Sequence, residues 1–266
     1  MLYFLDSANP DNNNNRRVKQ LLSVHADPLA GAVVQTLFHA YGADDRVARF
    51  WVQVDDKDCP TAIVSLVRGG LTVADNPHSD RQELAEFLGF MGGFDRLSCS
   101  PGLYEQLGFP GQSRPLYAMV YEGIPQTPAA DFSTITEQIP LKGLFALLCQ
   151  GDEHFARTAH WDSWYVHTSH LLRHGLGFHA GITQNGALVA ACGVYAQSAS
   201  HAVLSGLVTR PDCRRQGYGR LLMACLTHQV QTMGKTPALY TVEESLCQYY
   251  QAMGFRPHGL WMEAAL

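Results

Sequence analysis

The segment best equipped for chemistry is Leu207-Val-Thr-Arg-Pro-Asp-Cys-Arg-Arg-Gln-Gly-Tyr-Gly-Arg-Leu-Leu222. Within it, Arg214-x-x-Gly217-x-Gly219 links a strand-like run to a long amphipathic stretch. Glycines let the backbone adopt conformations that a side chain forbids, and let an anion approach closely. The first N–H groups of a helix lack intrahelical partners, and the helix dipole favours negative charge there. Arg214, Arg215 and Arg220 add cations around the loop, which suits a diphosphate. The Lys-Ser/Thr of a Walker loop is absent, and only two of the three glycines of a dinucleotide fingerprint are present. Taken alone, the pattern is equally a structural turn with surface arginines.

A second group lies downstream. Tyr249-Tyr-Gln-Ala-Met-Gly-Phe255 reads as a helix with hydroxyls near its end, closed by a Gly-Phe turn. Together the two segments, in this order, resemble the coenzyme A loop and the tyrosine-bearing helix of the GNAT superfamily of acyl-CoA-dependent N-acetyltransferases. The resemblance runs from about Asp131 to the C-terminus. It implies that acetyl-CoA or another acyl-CoA is the cosubstrate, held by Leu207, Val208, Thr209, Arg214, Arg215, Gln216, Gly217, Tyr218, Gly219 and Arg220. It also implies direct attack of a primary amine on the thioester, the amine belonging to a small molecule or a peptide. A lysine-type ammonium has a pKa near 10.4, so a base or a desolvating pocket must free the lone pair. The strand at Leu207–Thr209 would offer an N–H to the carbonyl oxygen.

Tyr250, four residues before Gly254, matches the family's general-acid tyrosine; Tyr249 beside it is the alternative inward-facing ring. The base stays open. The strand before the loop, Ala202–Val208, has no carboxylate, which leaves His201, Glu243, Glu244 or a water chain. Glu243 also stands where the family often has an asparagine against the pantetheine arm. His167, His170 and His174 share a predicted helix face at i, i+3 and i+7. Three consecutive turns span too far for one tetrahedral ion, so no metal is expected, and an acceptor-side role stays open.

These groups need elements to hold them. After the loop-like stretch GIPQTPAAD (123–131), helices are predicted at Leu141–Leu148 and Asp152–Arg173. Strands follow at Phe178–Thr183, Ala187–Tyr195 and Ala202–Val208, the first two joined by Gln184-Asn185-Gly186. A helix at Tyr218–Met233 (apolar at Leu221, Leu222, Cys225, Leu226 and Val230), a strand at Ala238–Val242, a helix at Ser245–Met253 and a strand near Leu260–Ala265 complete this half.

The first half carries a similar ending: Gly108-Phe109 and Gly254-Phe255 lie 146 residues apart, each behind a Tyr-bearing helical word. The elements before it repeat as well. Helices are predicted at Asp11–Gln20 and Pro28–Tyr41 (apolar at Leu29, Val33, Leu37 and Phe38) and strands at Val47–Val54, Thr61–Val67 and Leu71–Ala74. A Ser79-capped helix Asp80–Met91, with Leu84, Phe87, Leu88 and Met91 as its stripe, a helix Pro101–Leu107 and a strand Pro115–Tyr121 follow. The equivalent of the glycine loop is Asp75-Asn-Pro-His-Ser-Asp-Arg81, whose carboxylates would repel a diphosphate. The expected fold class is therefore α+β (mixed-sheet α/β) with two GNAT-like domains, each a mixed, mostly antiparallel sheet flanked by helices. Residues 1–125 are the degenerate copy and 126–266 the acetyltransferase domain, with the junction at 125–130.

Composition narrows the partners. With 46% hydrophobic residues the chain can build a core, and a net charge of −5 gives no basic footprint for nucleic acid. No apolar run is long enough for a bilayer. Seven scattered cysteines without a CxxC pair suit reduced thiols in a cytoplasmic setting. A homodimer is allowed. Two rival functions remain: a non-catalytic CoA-binding sensor, motivated by the missing strand carboxylate, and an aminoacyl-tRNA-dependent transferase, opposed by the intact loop and the acidic charge.

Overall fold

The computed structural model describes residues 1–5, 12–23, 28–42, 46–109, 112–123 and 132–265. The expected junction at 125–130 lies outside them. Packing divides the chain into two units, one of Met1–Met119, Thr241–Cys247 and Pro257–Leu266, the other of Val120–Tyr240 and Gln248–Arg256. The division is thus not one cut along the chain. The last strand, expected in the second half, pairs antiparallel with a strand of the first, Met262 opposite Cys99 through Ala265 opposite Arg96.

The first repeat runs β1 (Leu2–Phe4), α1 (Asn12–Ser23), α2 (Pro28–Tyr41), β2 (Ala48–Val54), β3 (Pro60–Val67), β4 (Gly70–Asp75), α3 (Arg81–Phe90), β5 (Arg96–Cys99), α4 (Pro101–Leu107) and β6 (Gln112–Tyr121). The second runs β7 (Ile135–Thr136), α5 (Leu141–Gly151), α6 (Glu153–Thr158), α7 (Trp161–Arg173), β8 (Phe178–Gln184), β9 (Ala187–Gln197), β10 (His201–Thr209), α8 (Tyr218–Thr232), β11 (Thr236–Thr241), α9 (Glu244–Gln251) and β12 (Phe255–Ala265). Pairing repeats with the order. In each copy a short strand joins an antiparallel three-strand meander, and a crossover helix leads to a fourth, parallel strand: β4 with β5, and β10 with β11. This is the mixed, mostly antiparallel sheet flanked by helices that the sequence pattern predicts.

The core of the first unit gathers Trp51, Val64, Leu66, Leu71, Val73, Leu84, Leu88, Leu97 and Leu103. Leu84 and Leu88 are buried, with Phe87 and Met91 packed on the cluster, as the helical stripe predicts. On α2 the buried set is Leu29, Ala30, Gly31, Ala32, Val34, Gln35, Thr36 and Tyr41, while Val33, Leu37 and Phe38 are only half-buried. Small residues let this helix settle deeply on another side. On α8 the same happens: Met223 and Thr227 are buried, and Leu221 and Cys225 are half-buried.

Three local expectations need correction. The α3 cap is Asp80, not Ser79. The Asp80 carboxylate accepts from the Glu83 N–H at 3.0 Å, while the Ser79 hydroxyl turns back to Asp75. Gln53, 1% exposed, closes this helix start, its Oε1 accepting from the Asp80 N–H at 3.0 Å and its Nε2 donating to the Asp80 carbonyl and to Glu83. The helix expected over Asp152–Arg173 is two, because Ala159 is extended (φ −86°, ψ 130°) and His160 is the non-helical N-cap of α7. The Thr158 hydroxyl, bonded to the His154 carbonyl, helps end α6. In the β8–β9 hairpin Gln184 belongs to the strand; Asn185 and Gly186 form the turn at φ 50° and 77°. The short strands β1, β5 and β7 have no sequence counterpart above.

Burial also sets thiol chemistry. It pushes Cys99 up to about 12, with the Asp75 carboxylate acting in the same direction, and it alone pushes Cys192 to about 12, whereas Cys59 is exposed. A thiol raised this far stays protonated at pH 8 and is a poor nucleophile. Titration of the folded protein with an aromatic disulfide at pH 8 should modify Cys59 readily and leave Cys99 and Cys192 intact until denaturant is added. Leu84→Ala, which empties a fully buried position, should cost about 2–5 kcal/mol in a urea melt.

Candidate active site

Strand β10 is where the second unit opens. Its parallel ladder with β11 ends at Leu204 opposite Leu239. On the other side the register with β9 shifts between Ser205 and Val208, so that Gly206 and Leu207 oppose the single residue Cys192. Gly206, at φ +65°, makes this bulge. Val208 and Thr209 rejoin β9 opposite Ala191 and Ala190. The backbone of Gly206 and Leu207 is therefore released from both neighbouring strands, as an N–H aimed at a ligand requires.

Beyond Thr209 the chain makes one 3-10 turn (Pro211–Cys213) and enters α8. Arg215 and Gly217 both have positive φ, +62° and +86°. A left-handed arginine is uncommon and marks a constrained turn. Gly217 is the N-cap of α8, has no side chain to cap it, and a Cβ there would meet nothing within 4 Å. The first intrahelical bond is from the Leu221 N–H to the Gly217 carbonyl. The N–H groups of Tyr218, Gly219 and Arg220 precede it and face the loop.

The arginines divide their work in a way the spacing does not reveal. Arg214 is held by backbone carbonyls. Its Nε donates to the Thr209 carbonyl and its Nη2 to the Gly151 carbonyl, both at 3.3 Å. It ties the loop to the end of β10 and to the last residue of α5. Arg215, Gln216 and Arg220 are exposed. Tyr218 turns sideways, donating to Gln216 Oε1 at 3.0 Å and accepting from Gln184 of β8.

Gly151, Gly206 and Gln184 are functional supports that the sequence reading missed. A Cβ at Gly151 would fall 2.1 Å from Val208 Cγ2, so only glycine lets α5 approach β10 this closely. A glycine inside a strand was the available signal for the bulge at Gly206. The Gly206 Cα side faces Leu148 of α5, 3.6 Å from an added Cβ. Beside this contact, α5, α6 and α7 assemble Phe145, Phe155, Trp161, Trp164 and Tyr165, with Phe145 ring centroids 5.2–5.5 Å from Trp164, Trp161 and Phe155.

Of the two tyrosines, Tyr250 is 9% exposed and packs edge-on to Phe255 at 6.2 Å. Tyr249 is 38% exposed, and its hydroxyl stands 3.1 Å from where a Gly219 Cβ would be. Burial raises the Tyr249 hydroxyl above the ordinary phenol value; Arg220 opposes and Cys192 adds to the rise. The Tyr249 hydroxyl therefore stays a protonated donor at neutral pH.

The base candidates are scattered. His201 begins β10, eight residues from Thr209, about 26 Å along a strand. Its Nδ1 lies 2.9 Å from the Ser200 hydroxyl, so the structure does not bring it to the loop. Glu243 and Glu244 belong to the first unit, where Glu244 accepts from the Tyr117 hydroxyl at 3.5 Å. His170 and His174 stack at 4.4 Å at the end of α7. His179 on β8, buried beside the Tyr195 hydroxyl at 3.3 Å, is held by burial below the usual histidine range and is neutral at pH 7.

A bulged strand, a left-handed glycine loop and an uncapped crossover helix form a recurrent arrangement, and residues 145–255 match the family model described as acetyltransferase (GNAT) family. That match covers 111 of the 266 residues. Among curated proteins no match was found. Solved GNAT-type structures share the fold across the whole chain. A tandem GNAT protein from the clavulanic acid biosynthesis pathway is 13% identical, with TM-score 0.62, covering 100% of this chain and 98% of that one. A GNAT-family acetyltransferase from Colwellia psychrerythraea is 15% identical, with TM-score 0.55 and coverage of 100% and 99%. A Drosophila protein is 12% identical, with TM-score 0.69 and coverage of 100% and 98%. At these identities the likeness is one of fold. No helix among the described residues is long and apolar enough to cross a membrane.

If Gly151 seats the GNAT loop, Gly151→Ala should lower stability by about 1–3 kcal/mol through overpacking against Val208. Hydrogen exchange should then show faster exchange at Thr209–Arg220 than in the parent.

Proposed function

We propose that the protein transfers an acyl group, acetyl in the first instance, from acyl-CoA to a primary amine of a small molecule or a peptide. The observation that carries this reading is the α8 N-terminus, closed by an open-sided Gly217 and flanked by exposed Arg215 and Arg220. Unsatisfied N–H groups, a helix dipole and two guanidinium groups fit a diphosphate. The equivalent helix start in the first repeat does not. There the Asp80 carboxylate takes the Glu83 N–H, Gln53 takes the Asp80 N–H, and Asp75, 7% exposed, pairs with Arg81 at 3.0 Å. This supports residues 1–125 as a copy that does not hold CoA.

The bound thioester supplies an activated acyl carbon. Around it the released backbone at Gly206–Leu207 would donate an N–H to the carbonyl oxygen as negative charge gathers there. Tyr250, the family-matched hydroxyl, would give a proton to the leaving sulfur, with Tyr249 as the second donor. The aromatic wall of α5–α7 supports an acceptor side. It excludes water, which favours the neutral amine, and Asp152, Glu153 and Asp162 at the helix starts would draw in a cation first. No side-chain base is assigned; a water chain serves.

The absence of a carboxylate on β10 favours one rival, a CoA-binding sensor. Calorimetry with acetyl-CoA and CoA, beside a Gly217→Glu/Gly219→Glu variant, should give one-site binding that the variant loses. Binding without turnover on an amine panel would favour the sensor; absence of binding by the parent would overturn both. With a working acceptor, Tyr250→Phe should lower kcat about 100-fold at unchanged donor KM, and Tyr249→Phe by less than about tenfold. The reverse order would assign the proton to Tyr249.

A further inference from the structure

The first unit has a concave site of its own, at the turn ends of β2, β3 and β4. A cavity of about 310 Å³ is lined there by Arg46, Arg49, Leu66, Arg68, Gly69 and Gly93 among others. All three arginines are exposed. Arg49 is steadied over the Trp51 ring, its guanidinium carbon 5.9 Å from the centroid, and Arg68 likewise over Tyr41 at 5.9 Å. Arg68 and Gly69 form the β3–β4 turn at φ +50° and +79°, which throws the arginine outward from the strand end.

Among the described residues no carboxylate lines the cavity. At its rim Asp95 lies against Gly69 and is engaged by Arg96 Nε at 3.2 Å, while Arg96 Nη2 donates to the Arg68 carbonyl at 3.2 Å. Asp44 and Asp45 precede Arg46 and lie outside the described residues. In a chain of net charge −5, three guanidinium groups around one hollow run against the average.

We propose that this hollow binds a phosphate-bearing small molecule. Planar guanidinium forks match phosphate oxygens in pairs. The volume is at the lower end for a small-ligand pocket, and Leu66 gives an apolar floor for the carbon part of the ligand. A nucleic-acid surface would instead be an extended basic stripe on a basic domain. The glycine loop of the second repeat plays no part in this site.

The experiment uses full-length protein carrying Gly217→Glu/Gly219→Glu, so that the second loop does not contribute, and inorganic pyrophosphate as the probe. Saturable one-to-one binding is expected, weakened about tenfold or more by Arg49→Ala/Arg68→Ala and less by Arg49→Lys/Arg68→Lys. Circular dichroism melts confirm that the variants fold, and Arg157→Ala/Arg256→Ala, outside the cavity, should leave binding unchanged. No saturable binding, equal binding in the Arg49→Ala/Arg68→Ala variant, or equal loss in the outside pair overturns the proposal. So does binding confined to single-stranded RNA or to vesicles containing phosphatidic acid.

Discussion

The N–H groups at the start of a helix must find partners, and the two halves of this chain meet that demand in opposite ways. In the first repeat the crossover helix α3 is closed from within. The Asp80 carboxylate takes the Glu83 N–H, and the buried amide of Gln53 holds Asp80 and Glu83. In the second repeat the same helix position begins at Gly217, with no side chain to supply an acceptor. A closed start stabilises the helix; an open one leaves electrophilic N–H groups for an anion from outside.

Much else in the second unit serves that open end. Gly206 bulges β10 away from its ladder, Gly151 lets α5 press against Val208, and Arg214 bolts loop, strand and helix through two carbonyls. An arginine of a phosphate-loop pattern thus also serves as a structural tie, while its charge, like that of Arg215 and Arg220, stays exposed. The general point is one of competition. A guanidinium within reach of backbone carbonyls at helix and strand ends can donate to them and fix the chain there.

The repeated element order lets one scaffold hold both solutions. Strand order, crossover and Gly-Phe ending repeat, so the fold needs only the shared apolar framework. The loop before the crossover helix carries little of the core and can diverge from Asp75–Arg81 to Arg214–Gly219 without loss of the sheet. The last strand pairs with β5 of the first unit, so that the cores are not separable at a single point in the chain.

The element order was legible in the sequence because apolar periodicity and turn residues report local geometry. Helices Pro28–Tyr41 and Pro101–Leu107 begin and end where caps and pattern say they should. So was the glycine loop, since glycines just ahead of an apolar helical stripe mark a turn into a helix. What the sequence could not rank were choices between neighbours of equal chemistry. Ser79 and Asp80 are both good caps, and Gln53, distant in sequence, selects Asp80. Tyr249 and Tyr250 carry the same hydroxyl, and burial against Phe255 separates them. His201 shares a strand with the loop, yet strand rise puts it at the far end. Local pattern therefore determined which elements form and where a glycine loop opens a helix. Only the tertiary structure decided which side chain faces that place, because facing depends on partners that sequence separation hides.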